Sequence, residues 1–343
     1  MVENIDNLLK LAYGFSISKI LFTAVSFDVF TKLSGTEKTA AQLSQELSLP
    51  ERSFSRLLNS CTALGLLNKK DGRYSNTPLS EEYLVEGKPF YFGYHINALN
   101  SRLYGPWGTL EEIIKKDEFQ PSVEGKSDDI IKAVSSTKEF ARKAMMSQHN
   151  YSQLIAIDFA ETIDLTGRKS FLDIGGGTGI FTAETAKRFP HIEYTIFDRG
   201  FVLEVAKDIL KEHKVEDKVK LCEGDILNDP FPEGSDVALL SGVLDGYDEA
   251  ICRDMIKKIY DYLPKGGLFY ITESVINDER SGPVFPSIFS LILLLQTEKG
   301  DARSRGEMEE WLRDAGFKVV KYEVMSKRSG AYRNSGLITA VKE

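Results

Sequence analysis

SFLDIGGGTGIFTAETAKRFPHIEYTIFD, from Ser170 to Asp198, is the stretch whose reading decides the fold. It opens with a short apolar strand (Phe171, Leu172, Ile174) and turns through Gly175, Gly176, Gly177 and Gly179. A helix is predicted from about Ile180 to Arg188, and a β-rich run, Tyr194 to Phe197, ends on Asp198. Glycines at the turn let the backbone approach a ligand closely, because no Cβ stands in the way. A carboxylate just past the second strand suits a ribose diol, which offers two hydroxyl donors. The unit reads as a nucleoside site at the carboxyl ends of parallel strands, and an ordinary tight turn of an α/β sheet is the alternative.

The spacing bears on which nucleoside. A dinucleotide fingerprint sets a pyrophosphate on the helix N-terminus. Here Gly175, Gly177 and Gly179 alternate, and Asp173 precedes them by two. A carboxylate beside the turn repels a pyrophosphate and attracts the ammonium and sulfonium of S-adenosylmethionine. The pattern D-x-G-x-G-x-G therefore favours that cofactor over NAD.

With 343 residues the chain is long enough for two domains, and its 42% hydrophobic and 27% charged residues are those of a globular protein. The formal net charge of −8 argues against nucleic acid or anionic membrane as partners. Cys61, Cys222 and Cys252 are scattered without a C-x-x-C pair, which points to a reducing compartment and no structural zinc. The start, MVENIDNLLK, lacks a signal-peptide pattern, and the longest greasy run, Ile288 to Leu295, is too short to span a bilayer. The expected location is cytoplasmic.

Outward from the glycine turn, the rest of the C-terminal half alternates regularly. A helix over 201–213, strands at Lys218–Glu223 and Asp236–Leu240, a helix over Glu249–Tyr262 and a strand at Leu268–Thr272 follow in order. After a helix around Glu307–Ala315 closed by Gly316, two runs, Lys318–Val324 and Gly336–Val341, have no helix between them and should pair antiparallel. That is a doubly wound sheet with one reversed strand, and its carboxyl ends collect Asp173, Asp198, Asp225, Ser241, Asp245 and Glu273 on one rim.

The N-terminal part reads differently. Residues 8–33 are helical, and the cluster Ile20, Leu21, Ala24, Val25, Phe27, Val29, Phe30 suggests a dimer interface, with an internal core helix as the alternative. Thr39 caps one helix, RSFSRLLNSCTALGLL forms a second, and KKDGRYSNTPLS forms a two-stranded wing around Asp71-Gly72. The outline is a winged helix-turn-helix, but the recognition helix carries only Arg52 and Arg56, too little positive charge to read DNA. A dimerisation or lid role fits better. Residues 90–165 are predicted mostly helical, with a loop at Pro121–Ser127 and an aromatic and Met stripe that includes Tyr91, Phe92, Trp107, Phe140, Met145 and His149. That stripe is either core or the lining of an acceptor cavity.

The winged unit, LDIGGGTG, Asp198, GDIL at 224–227, LPKGGLFYITE at 263–273 and DAGF at 314–317 fall in one order across nearly the whole chain. In this the sequence resembles the small-molecule O-methyltransferases of the caffeate and acetylserotonin type. The resemblance implies a winged-helix dimerisation domain (1–100) and a Rossmann-like class I methyltransferase domain (101–343) that begins with a helical acceptor-pocket segment (101–165). It also implies a homodimer. By position, Gly175 and Gly177 cradle the methionine end of S-adenosylmethionine, Asp198 lies at the ribose, Asp225, Ile226 and Tyr247 at the adenine, and Arg199 belongs to the same cofactor site. Ser241 takes a position that is often basic or amide.

One departure bears on chemistry. The family's base is the histidine of a His-Asp-Trp motif, where this chain reads Val243-Leu244-Asp245-Gly246-Tyr247-Asp248. The resemblance matches Glu273 to the carboxylate that orients that histidine, and it matches a second such acid to Ala302. Proton transfer from a phenol to a neutral histidine is uphill by roughly 5 kcal/mol, and to an ordinary aspartate by roughly 8 kcal/mol. Burial raising the pKa of Asp245, a base supplied by His149 or His95, or an acidic or carbon-nucleophilic acceptor would each close that gap. The alternative roles for Asp245 are binding a cationic or polar acceptor and capping the helix that starts near Asp248. The reading is methyl transfer to a small aromatic or enolic metabolite, at oxygen or else at carbon or nitrogen. A non-methylating enzyme on the same fold is the second reading, and a winged-helix regulator the third.

Overall fold

Asp71 and Gly72 both adopt positive φ, 47° and 75°, the backbone that a two-residue hairpin needs to match strand twist. They join β2 (Leu67–Lys70) to β3 (Arg73–Asn76), and β1 (Lys38–Thr39) adds to the free edge of β3. The wing thus has three strands, where the sequence suggests two. Thr39 closes a capping box with Gln42 at the start of helix Ala40–Leu47, and helix Glu51–Ala63 follows. The computed structural model describes residues 3–117 and 138–343. It separates into two units, Met1–Gly105 and Pro106–Glu343.

The first unit has its own core, in which Phe22, Val25, Phe30, Leu43, Phe54 and Leu58 are buried. Most of the 20–30 cluster expected at an interface is therefore internal, because the winged helices pack over it. The apolar side chains left exposed lie one helix earlier: helix Ile5–Ala12 buries none of its residues, and Leu8, Leu9 and Leu11 are open. No single helix among the described residues is long and apolar enough to cross a membrane.

In the second unit, β4 (Ser170–Ile174), whose Phe171, Leu172 and Ile174 are apolar, is buried on both faces, Asp173 included. It pairs in parallel with β5 (Glu193–Asp198) on one side, and β6 (Val219–Glu223) lies beyond. On the other side stand β7 (Val237–Ser241) and then β8 (Leu268–Ser274), both parallel. With β9 (Phe317–Met325) and β10 (Ser335–Lys342) the sheet runs β6-β5-β4-β7-β8-β10-β9, and β10 is the reversed strand. One face packs Ile155, Phe159, Ile180 and Leu210 from helices Lys138–Thr162, Ile180–Arg188 and Gly200–Glu212. The other packs Met255, Ile256, Trp311 and Leu312 from Glu249–Tyr262 and Arg305–Ala315.

Two differences concern 90–165 and the greasy run. The first is broken into short pieces (Gly93–Ala98, a π-turn at Leu99–Leu103, Leu110–Lys116) before the long helix. The Pro121–Ser127 loop and the side chain of Phe140 lie outside the described residues. Ile288–Leu295 belongs to helix Val284–Gln296, which buries Pro286, Leu293 and Leu295.

At the head of helix Ile180–Arg188, Gly179 has φ of 73°, and a Cβ there would lie 2.7 Å from Cδ1 of Ile196. Gly179→Ala is expected to lower the melting temperature by about 3–6 °C through left-handed strain and crowding. An unchanged calorimetric melt would contradict this packing.

Candidate functional site at the strand ends

The carboxyl ends of β5, β4, β7 and β8 stand side by side, and each brings an acid to the rim. Gly175 and Gly177, at φ of 67° and 58°, bend the chain off β4. A Cβ on Gly175 would press on Val243 at 3.2 Å, and a Cβ on Gly177 would reach Met145 at 4.0 Å. The loop is pinned from the next strand: Gly177 N–H donates to Asp198 Oδ2 at 2.9 Å, and Arg199 N–H to Asp198 Oδ1 at 2.7 Å. Burial nonetheless raises the pKa of Asp198, so its charge is short of partners.

Asp173 lies beneath the same loop. It is 1% exposed, Thr182 Oγ1 donates to its Oδ2 at 2.7 Å, and a Cβ on Gly176 would meet its carboxyl at 2.8 Å. Burial, with repulsion from Asp198 adding to it, lifts its pKa to about 7 against the Thr182 hydrogen bond. The two desolvated carboxylates supply what an ammonium or sulfonium and a ribose diol lack in a protein interior. The glycine rim leaves space for backbone approach, so the residues fit S-adenosylmethionine.

Beyond β6, the Leu227 N–H donates to Asp225 Oδ1 at 2.8 Å and holds that carboxyl below its usual range, while Arg199 Nη2 reaches Oδ2 at 3.4 Å. The half-buried Tyr247 phenol has a pKa raised by burial, and it also feels Arg199, Asp225 and Asp198. Ile226 packs against the core on that side, and Ser241 ends β7 in register with Thr272. Asp198, Arg199, Asp225 and Tyr247 therefore converge.

The other end of the rim holds two acids and one arginine. Glu273 is 4% exposed, and its Oε1 accepts from the backbone N–H groups of Val243 and Leu244, both at 3.0 Å. Its Oε2 is buried without a hydrogen-bond partner among the described residues. Burial, with repulsion from Asp245 second, pushes Glu273 well above the usual carboxylate range. Burial also raises half-buried Asp245 to about 6, against the pull of the Arg303 guanidinium and the Gly246 N–H. Arg303 is buried, stacks 5.5 Å over Trp311 and donates from Nε to Leu244 O at 3.3 Å and from Nη2 to Tyr247 O. It fixes the turn that carries Asp245.

The sequence reading missed Arg303, which follows the buried Ala302. It also missed Tyr151, whose phenol is shifted up by burial and senses Arg333, Asp245 and Glu273. Arg333 lies 4.3 Å over the Tyr151 ring. His149, two residues back on the helix, is turned by about 200° and faces elsewhere. Its Nδ1 lies 3.2 Å from Thr178 Oγ1, its ring 6.4 Å from that of His213, and burial lowers its pKa to about 4. The structure does not bring it to Asp245. His95 lies in the first unit, its ring tilted against that of Phe92 at 4.9 Å. Among the described residues, no three His, Cys, Asp or Glu side chains converge as a metal site.

Residues 107–318 match the model of the O-methyltransferase domain, and residues 9–86 match that of the O-methyltransferase dimerisation domain. The 3-hydroxy-5-methyl-1-naphthoate 3-O-methyltransferase of Streptomyces sahachiroi is 30% identical over 98% of this chain and 94% of its own length. The acetylserotonin O-methyltransferase of Gallus gallus is 31% identical, with 92% of each chain covered. Among solved structures, human N-acetylserotonin methyltransferase in complex with S-adenosylmethionine superposes with a TM-score of 0.86 at 26% identity, covering 99% of this chain and 98% of that one.

Asp173 gives the rim a measurable signature. Its folded pKa lies above the unfolded value, so the folded state holds the proton more tightly, and stability is lost as pH rises from about 4 towards 7. Asp173→Asn removes that loss: the ligand-free protein should melt several degrees higher than wild type at pH 8 and equally at pH 4. Calorimetry at the two pH values reads the difference, and a lower melt at pH 8 would contradict the account.

Proposed function

From the premise that the chain belongs to the S-adenosylmethionine-dependent O-methyltransferase family, we propose that it methylates a hydroxyl of a small aromatic or enolic metabolite, with Asp245 as the base. Bound at the glycine rim, S-adenosylmethionine supplies an electrophilic methyl group. The chain's own residues hold the acceptor in line and take its proton.

The observation that carries this reading is the place of Asp245, on the turn after β7 that buried Arg303 and Glu273 hold by the backbone of Val243, Leu244 and Tyr247, where burial raises its proton affinity. With a pKa of about 6, the uphill transfer from a phenol falls to about 5 kcal/mol, close to that for an ordinary histidine. Burial thus gives a carboxylate the proton affinity of imidazole. Arg303 keeps Asp245 from rising further, so that it stays ionised at neutral pH. Gly175, Gly177, Asp173 and Asp198 are assigned to the methionine and ribose ends of the cofactor, and Arg199, Asp225, Ile226, Ser241 and Tyr247 to its adenosine side. Tyr151 and Glu273 border the acceptor. His149, buried and weakly basic beside Thr178, is assigned to packing of the loop and not to proton transfer.

The first unit, about 1–105, is assigned to homodimer formation. The exposed Leu8, Leu9 and Leu11 support this. The three cysteines are free thiols, as a cytoplasmic protein would have them. The acidic net charge speaks against nucleic-acid and membrane partners.

Methyl-labelled cofactor with a panel of phenols and enols tests the activity, and transfer of label is expected. Asp245→Asn should lower turnover by about 100-fold or more with cofactor affinity unchanged. Wild-type turnover should rise through pH 6, because the base works only when ionised. Undiminished turnover in Asp245→Asn would remove Asp245 as the base.

A further inference from the structure

Glu273 and Asp245 sit on neighbouring strand ends but are solvated unequally. Both Oε1 lone pairs of Glu273 are taken by the N–H groups of Val243 and Leu244, and its Oε2 is buried with no hydrogen-bond partner among the described residues. A buried carboxylate with one oxygen unpartnered is costly as an anion, whereas a carboxylic acid there has a proton to offer. The charged and titratable groups around it are Asp245, Arg303, Tyr151 and Cys252. Arg303 is turned to the carbonyls of Leu244 and Tyr247.

We infer that Glu273 is held un-ionised and donates a hydrogen bond from Oε2 to a second oxygen of the acceptor, next to the hydroxyl that faces Asp245. The substrate class is therefore an aromatic or enolic hydroxyl with a carbonyl or ether oxygen on the adjacent carbon framework, such as an ortho-hydroxy ketone. This rests on the methyl-transfer reading of the same rim and narrows its acceptor. The two acids divide the work. The Asp245 carboxylate takes the acceptor O–H proton; S-adenosylmethionine, when bound, would supply the methyl group, its sulfur keeping the electron pair of the broken S–CH3 bond. Glu273 keeps its own proton and stabilises the negative charge that builds on the acceptor oxygens as the O–H proton leaves. The ordering of proton affinities agrees: Glu273 is raised well above its usual range and Asp245 only to about 6. A simple phenol leaves the Oε2 proton as unmatched as in the ligand-free protein, whereas a second oxygen gains its hydrogen bond, and that gain is what favours the ortho-substituted acceptor.

The test has two arms on the full-length protein. Infrared difference spectra at pH 8 between wild type and Glu273→Gln should show the carbonyl stretch of an un-ionised carboxylic acid in wild type alone. Absence of that band overturns the proposal. Calorimetry in the presence of S-adenosylhomocysteine should show 2-hydroxyacetophenone binding about tenfold or more tightly than 4-hydroxyacetophenone. Equal affinity, or no binding of either, overturns it. Because glutamine keeps a donor at the Oε2 position, Glu273→Gln should hold the preference for the ortho isomer within about threefold of wild type, whereas a preference abolished in a variant that melts normally counts against donation. Failure to bind S-adenosylhomocysteine sinks the methyl-transfer reading separately, since the infrared arm needs no ligand.

Discussion

The structure depends on holding four poorly solvated carboxyl groups along one edge of a sheet, Asp173 and Glu273 fully buried and Asp198 and Asp245 partly so. Asp198, Asp173, Asp245 and Glu273 belong to the ends of β5, β4, β7 and β8, neighbours in that order, and burial raises the proton affinity of each. The means of compensation are few. Backbone N–H groups serve Asp198 and Glu273, Thr182 serves Asp173, and Arg303 supports the Asp245–Glu273 end. The apo rim is thus electrostatically strained, and a cationic ligand with hydroxyl donors relieves much of that strain. Local stability is traded for affinity, as is common at functional sites.

The same economy separates the two ends of the rim. At the glycine end, the acids are placed to meet a fixed ligand, and their charges are set by the loop that covers them. At the β7–β8 end, one acid is saturated by backbone on one oxygen and bare on the other, and its neighbour is steadied by an arginine. Equal residue types thereby acquire unequal proton affinities, which lets one donate while the other accepts.

Much of the frame was legible before any coordinates. The alternation of short apolar runs and helices, the glycine turn and the missing helix before the last run point to a doubly wound sheet with one reversed strand, which the structure has. Helix Glu249–Tyr262 has the bounds that its Asp248 cap and the following Pro264 suggest. What a linear pattern does not carry is phase. His149 and Tyr151 differ by two positions, yet helix geometry sends one to Thr178 and the other towards Asp245. Arg303 was hidden for a similar reason, because matching by resemblance stopped at Ala302, one residue short of the side chain that turns inward. The apolar 20–30 cluster misled because a winged unit consumes such a helix internally, while the amphipathic helix before it stays open. Helix Val284–Gln296 is apolar on most sides, so periodicity gave no handle on it.

The central claim is that desolvation has given Asp245 the proton affinity of a histidine. Carbon-13 carboxyl NMR on labelled protein, with the resonance assigned by its loss in Asp245→Asn, titrates that group directly. The account predicts a midpoint near 6 in the ligand-free protein, shifted down towards the ordinary range when 6 M urea unfolds it. A midpoint near 4 in the folded protein would contradict it.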